Sequence, residues 1–566
     1  MSNFTYFIKS LFYYLFFKFI FIFNFISYIK FLIIKISKKE KYYEFLSFFE
    51  NYENKIKTQK PTKKKCIHIN FFNWFDSHNY LFSYFIFSQI GSKYEQLIFF
   101  NSFKINFNSK NKKIEFTKPL NFYSQISFIE VNKITNNLMK KTYDEIFNFK
   151  FKDIKCGKYA ISSSIRKLKT PKISLKNRYH YFIVKFFFFK SIIFADASIN
   201  FLKNNKDVEC AVFNDKSYVG AGELYDESIK RGIKCVQFVA SYKNNLLLLK
   251  KYNSINKDDH PSAISKTLWE KYQNIKITNK QSDYLQNEIL SEYQNNSWFP
   301  SAGTTVGKKV LNIEELKAEL NVKASQKIAI IFPHIFWDGT FFFGKDLFGD
   351  YIEWYKETLI AANKNKNLKW IIKSHPSNII KNNREKISNK KIDPELKIIY
   401  DLFGNIPDHF EYLSSKSKIS SIRLFDILDF CFTIRGTVGI EAALKNKIVI
   451  TAGTGRYNNR GFTINFDNKE KYFEMISNLH LFKNNNTEIK SNAEKFAYIS
   501  FICKTIQFNP ARFFYQKNNI ADLNLKINYQ EFDKKSYRDK LIKFNNWMDN
   551  PDSDYFEDPC NEWSSN

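Results

Sequence analysis

The sequence predicts an α/β protein of two doubly wound lobes facing a cleft, preceded by a hydrophobic helix. Three observations predict it. Short apolar runs bounded by turn residues alternate with helical patterns, first over 66–239 and again over 327–451. A stretch rich in Asn, Lys, Ser and Gln, 251–325, separates the two series. The 566-residue chain is 44% hydrophobic and 25% charged, the composition of a folded protein with length enough for more than one core.

Residues 1–40 are dominated by Phe, Ile, Leu and Tyr, interrupted by Lys9, Lys18, Lys30 and Lys35. The uninterrupted runs fall short of the roughly 20 residues of a confident spanning helix. Lys38, Lys39 and Lys41 follow, then Lys63, Lys64 and Lys65. An aromatic helix with a basic flank suits the inner, cytoplasmic face of an anionic plasma membrane. The expectation is a membrane-associating segment at 1–40, interfacial or as one tilted span.

The first lobe is expected over 65–300. Strands are read at 66–72 and 96–100, with a helix at 77–89 between them. The stretch 104–205 gives no clear pattern; it holds a basic segment at 166–176 and a very aromatic one at 179–193. Order returns with a strand at 209–213, a helix at 217–231, Gly232 as its stop, and a strand at 234–239. The second lobe is expected over 325–510. A helix around 313–320 leads into it. Strands are read at 327–332, 368–373, 397–400, 430–434 and 448–451, and helices at 350–363, 421–428 and 437–444. The segment 511–566 reads as a loose tail, acidic at its end.

The net charge is +31. It accompanies a general excess of Lys, Asn, Ile, Phe and Tyr, the residues of A/T-rich codons, and no stacking or helix-turn-helix module interleaves with it. A nucleic-acid partner is therefore not expected. The seven cysteines are widely scattered, which excludes CxxC zinc and redox motifs.

In doubly wound lobes, ligands bind at the carboxyl ends of the strands. The strand ending at Lys373 is followed by Ser374-His375-Pro376, which holds a histidine at a sharp exit. The strand at 430–434 is followed by Arg435-Gly436-Thr437-Val438-Gly439-Ile440-Glu441, two glycines opening a helix, with Thr437 placed to cap it. The next loop carries Gly453, Gly455, Arg456 and Tyr457, then Arg460-Gly461-Phe462. The strand at 327–332 leads to His334 and Asp338, a candidate acid/base pair. Asp552-Ser553-Asp554 has the form of a metal motif but sits in the acidic tail, outside any sheet.

Together these loops resemble the bacterial capsule polysaccharide biosynthesis family, GT-B-like glycosyltransferases that include Kdo transferases. The resemblance rests on His375-Pro376, on Gly436 to Glu441 and on Gly453…Tyr457…Gly461, with Tyr218…Gly222…Ser228…Gly232 in the first lobe. It implies a nucleotide-sugar donor, often CMP-linked, and a lipid-linked or polysaccharide acceptor. It implies no bound metal and no cofactor beyond the substrate. Lys373, His375, Arg435, Gly436, Thr437, Gly439, Glu441, Arg456 and Tyr457 would form the donor site. A first-lobe base would take the acceptor's proton: Asp76 or His78 after the first strand, or Asp215, with His334 and Asp338 as competitors. The alternatives are a polyol-phosphate transferase of the teichoic-acid polymerase type, which Arg460-Gly461-Phe462 would suit, and a non-catalytic scaffold of capsule biosynthesis or export.

Overall fold

The computed structural model describes residues 64–69, 94–99, 114–117 and 120–557, except 171–172, 214, 242–245, 296–310, 324, 339–340, 376–377, 379–392, 485, 508–510, 517–518, 528–529 and 531–533. The helices expected within 1–40 and at 77–89 lie outside the described residues. Among the described residues no helix is long and apolar enough to cross a membrane.

Strand β1 (Lys65–His68) pairs in parallel with β2 (Glu95–Phe99), and β2 with β3 (Ile114–Thr117). On its other side β1 pairs in parallel with β4 (Val208–Phe213), and β4 with β5 (Lys234–Ala240). β6 (Leu246–Tyr252) closes this edge antiparallel to β5. Helix Gly222–Lys230 connects β4 to β5, ends in a turn containing Gly232 at φ +71°, and buries Leu224 and Tyr225 against Ala211 and Phe213. Only glycine adopts that φ without cost, so the chain reverses there.

The stretch without a clear sequence pattern is helical. The aromatic segment is the first half of a 27-residue helix, Arg178–Asn204, whose Asn177 side chain caps the amides of Tyr179 and His180. Its C-terminal half buries Ala197, Phe201 and Leu202 on the first sheet, and its N-terminal half packs on helix Cys156–Leu168 through Val184 and Phe188. A helix apolar on several sides gives no clean amphipathic period, because it is wrapped by neighbours.

The second lobe is built from β7 (Ile328–Ile331), β8 (Lys369–Lys373), β9 (Phe410–Leu413), β10 (Phe430–Thr433), β11 (Ile448–Thr451) and β12 (Ile464–Asn465), all parallel, in the order β12-β11-β10-β7-β8-β9. Alternate residues serve two cores. Ile328, Ile330, Ile371 and Cys431 face one layer, and Ala329, Ile331, Trp370, Ile372 and Phe432 the other. Both faces are covered, which is why these strands read as unbroken apolar runs.

One expected strand is wrong. Residues 397–400 lie in the helix Pro394–Phe403, with Pro394 in its first turn. Ile398 and Ile399 are buried, with Leu396, Leu402 and Phe403 partly buried beside them, a helical stripe that a four-residue window cannot distinguish from a strand.

The chain then returns to the first lobe. β13 (Ile506–Gln507), read from the sequence as the end of the second lobe, pairs antiparallel with β6. The acidic segment expected to be loose is docked: Lys251 N donates to Asp554 O at 2.7 Å, and Tyr555 is fully buried against Lys250 and Lys504.

Candidate active site

Both sheets reverse strand order beside their central strand, between β1 and β4 and between β7 and β10. The crevice at such a reversal is where doubly wound folds hold ligands. Asp215 leaves β4, His334 leaves β7 and Arg435 leaves β10.

His334 is fixed on two sides. Its ring stacks on Tyr351 with centroids 4.8 Å apart, and its Nε2 accepts the Arg435 backbone N–H at 3.2 Å. That bond assigns the proton of the neutral ring to Nδ1. Burial, reinforced by Arg435, His375 and Arg456, pushes the His334 pKa down to about 3. His334 is therefore a neutral hydrogen-bond donor, and the expected acid/base pairing with Asp338 is not formed. Asp338 pairs instead with Arg166, whose Nη1 lies 2.9 Å from Oδ1.

Arg166 joins the lobes. The same Nη1 donates to the Tyr218 hydroxyl at 2.8 Å, and the guanidinium lies over the Tyr218 ring at 4.8 Å. Burial opposes its charge, but Tyr218, Asp338 and Asp215 hold its pKa above the ordinary arginine value. Asp215 accepts the Ser217 N–H at 2.9 Å. Burial raises its pKa; Arg166 offsets part of the shift and Asp338 adds to it. One first-lobe carboxyl and one second-lobe carboxyl thus share the field of a single arginine. Asp76 and His78 lie outside the described residues.

The anion side is built around the helix Thr437–Leu444. Its N-cap is Gly436 rather than Thr437, and no side chain caps it. Thr433 Oγ1 accepts the Gly436 N–H at 3.2 Å and the Gly436 carbonyl accepts the Gly439 N–H at 3.1 Å, which leaves the Thr437 and Val438 amides as the donors a phosphate could use. Arg456 Nη1 donates to the Arg435 carbonyl at 3.0 Å. The Arg435 guanidinium is buried and ion-paired with Asp346, yet its Nε and Nη1 meet no hydrogen-bond acceptor, nor does Nε of Arg456. Burial, with Arg456 adding to it, pushes the Arg435 pKa down to about 9.

The remaining expected donor residues divide. His375 is half-buried at the exit of β8, close enough to act on His334. Lys373 is buried and donates to the Ser414 carbonyl at 3.1 Å. Tyr457 is buried and donates its hydroxyl to the Gly436 carbonyl at 2.8 Å, pinning the helix start. A Cβ on Gly439 would stand 2.3 Å from that hydroxyl, so Gly439 makes room for Tyr457. Glu441 is buried and borders a small cavity with Gln286 and Phe425.

Sequence reasoning missed His260. Its backbone N–H donates to Gly455 O at 2.9 Å, its Nδ1 accepts from Ser262 N at 3.0 Å, and its ring meets Phe343 edge-on at 5.0 Å. Burial, then Arg456 and Arg435, hold it neutral. The signal was present: His260-Pro261 repeats the dipeptide that singled out His375. Nor does the sequence single out Tyr351, whose ring stacks on His334. Among the described residues no group of three or more His, Cys, Asp or Glu side chains is placed to hold a metal ion.

No protein-family profile matches the chain, and no curated protein matches it significantly. Solved structures overlap it weakly. A KpsC beta Kdo 2,4 transferase from Thermosulfurimonas dismutans is similar at 12% identity over 57% of this chain and 85% of its own, TM-score 0.33. The wall teichoic acid polymerase TagF aligns at 11% identity over 88% and 97%, TM-score 0.24. A UDP-GlcNAc 2-epimerase from Neisseria meningitidis aligns at 14% identity over 54% and 76%, TM-score 0.24.

Proposed function

We propose that the chain is a glycosyltransferase with a GT-B-like architecture that moves a sugar from a nucleotide-activated donor to a growing surface polysaccharide. The observation that supports the reading is an opposition across the cleft. On one side stands Asp215, a carboxyl with raised proton affinity. On the other stand an uncapped helix start, Arg456 and the Nδ1–H of His334.

In the proposed reaction an acceptor hydroxyl oxygen bonds to the anomeric carbon. The bond from that carbon to the donor's phosphate oxygen breaks, and its electron pair leaves with the nucleotide. The hydroxyl proton passes to Asp215. The helix-start amides, Arg456 and His334 are fixed donors, oriented before the phosphate charge develops, so they stabilise it without reorganising. His375 reaches the same group from β8. The segment 1–40 would keep the enzyme at the inner membrane face, beside a lipid-linked acceptor. Arg460, which would suit a polyol-phosphate transferase, donates from Nη2 to the carbonyl of Ile264, a residue of the core that also holds Tyr457 and Phe462, at 2.7 Å.

Calorimetric titration of the full chain with CMP, CDP and UDP tests the reading. One nucleotide should bind, and Arg456→Ala and His375→Ala should each weaken it about 10- to 150-fold, the loss of one charge-assisted hydrogen bond. If the wild-type chain binds none of the three, the scaffold alternative takes the place of the enzyme. Turnover of a CDP-polyol in place of a CMP-sugar would identify the polyol-phosphate reaction.

A further inference from the structure

The turn that follows β6 is held by two buried lysines of the first lobe. Lys216 Nζ donates to the Lys257 and Asp259 carbonyls, and Lys250 Nζ to the His260 and Ala263 carbonyls at 3.4 and 3.3 Å. Two backbone bonds stitch the same turn to loops of the second lobe. Gly344 N donates to Asp258 O at 2.7 Å, and His260 N to Gly455 O at 2.9 Å. That carbonyl belongs to the peptide unit leading into Arg456, so His260 stands one hydrogen bond from a residue of the anion side.

The ring is oriented as well as placed. Nδ1 accepts from Ser262 N at 3.0 Å, so the neutral ring carries its proton on Nε2. Phe343 meets the ring edge-on, with centroids 5.0 Å apart. The ring is partly exposed, and among the described residues nothing accepts from Nε2. Desolvation, then Arg456, Arg435, Lys250 and Lys216, keep the ring uncharged. Of these four cations, Arg435 pairs with Asp346, and Lys250 with Asp259 and Asp554. Lys216 is occupied by carbonyls. Arg456 is partly exposed, and among the described residues no carboxylate pairs with it. An unpaired cation and an unused N–H on neighbouring loops suit an anion with several acceptor oxygens.

We infer that His260 is a further donor-site residue, whose Nε2–H donates to a phosphate oxygen of the nucleotide-activated donor beside Arg456. The inference rests on the transferase reading. The phosphate would then be gripped from both lobes, by the helix start and Arg456 on one side and by a histidine anchored to the first sheet on the other.

The test is calorimetric titration of the full chain and its His260 variants with CMP, CDP and UDP, with inorganic pyrophosphate as a competitor of the bound nucleotide. Gln places an amide N–H near the position of Nε2, whereas Asn places its amide near Nδ1. His260→Ala and His260→Asn should weaken nucleotide binding about 10-fold or more, and His260→Gln should stay within about 3-fold of wild type. Pyrophosphate should displace nucleotide from the wild type, and His260→Ala should weaken pyrophosphate by a similar factor. A purely structural role, in which Nδ1 holds Ser262, predicts the reverse order, with Asn tolerated and Gln not. The comparison of Gln with Asn remains decisive if His260→Ala fails to fold. Nucleotide binding by His260→Gln no tighter than by His260→Asn, or pyrophosphate that does not compete, would overturn the inference and leave the transferase reading intact. A wild-type chain that binds no nucleotide would remove that reading, and this inference with it.

Discussion

Arg166 of the first lobe and Asp338 of the second meet at 2.9 Å, across the line where the two sheets present their carboxyl ends. Both side chains are partly exposed, so the pair should matter more to geometry than to stability. Arg166→Ala should cost no more than about 1 kcal/mol. It should lower kcat/KM by roughly 10- to 100-fold, because the lobes lose a constraint on their separation. A double-mutant cycle with Asp338→Asn checks this. Additive losses in kcat/KM would mean that the contact does not set the cleft.

Asp215 should govern the acid limb of the rate profile. A base must be deprotonated, so kcat/KM falls as pH drops through its pKa. Burial places that pKa above the ordinary aspartate value, so the fall should begin at higher pH than for an exposed aspartate. Asp215→Asn should lower turnover by about 10²- to 10⁴-fold and leave nucleotide affinity intact. Rate profiles of the two proteins, with calorimetry alongside, measure both effects.

Gly439 should prove a packing residue. Gly439→Ala brings a methyl group against the Tyr457 hydroxyl and should destabilise the fold by about 1–3 kcal/mol. The penalty should shrink in a Tyr457→Phe background, where the nearest atom is gone. Nucleotide affinity of the folded fraction should stay at the wild-type value. Denaturant melts of the four proteins of this cycle decide the matter.

Glu395 should make stability fall as pH rises. Its carboxyl is buried, accepts from Asn378 Nδ2 at 2.9 Å through Oε1, and has no donor at Oε2. Burial pushes its pKa from 4.5 up to about 7. Between those values the folded chain keeps a proton that the unfolded chain releases, so each rise in pH favours unfolding. The loss is roughly 1.4 kcal/mol per unit of displacement. Glu395→Gln should flatten that part of a pH-dependent melting series. An unchanged slope would mean that another group titrates there.

The strands around the second lobe's switch point were legible because both faces of Ile328–Ile331 and Phe430–Thr433 are buried, which leaves apolar runs bounded by turn residues. The helix Tyr351–Lys364 was equally plain, and the structure adds that Asp350, read as its first residue, is its cap, accepting the amides of Ile352 and Glu353. The loops holding His334, Arg435 and Arg456 followed from those strands. What escaped was non-local. Nothing beside Arg166 announces that it will meet Asp338, 172 positions on. The role of Gly439 depends on Tyr457, a neighbour only after folding. His260 sits in a polar connection whose composition resembles a linker, although its backbone is bonded to the glycine loop of the opposite lobe.

The docking of Tyr555 on Lys250 joins residues 305 positions apart. At about 5–20 residues per second, the ribosome needs roughly 15–60 s to deliver the second partner after the first. For most of that interval β6 has neither β13 nor the Asp554–Phe556 segment beside it, and its outer edge is an open template for another chain. Lys250, later enclosed with Lys504 around one aromatic ring, is then still hydrated. The first lobe is thus begun early in synthesis and sealed late, and the interval between is when chaperone occupancy would matter most.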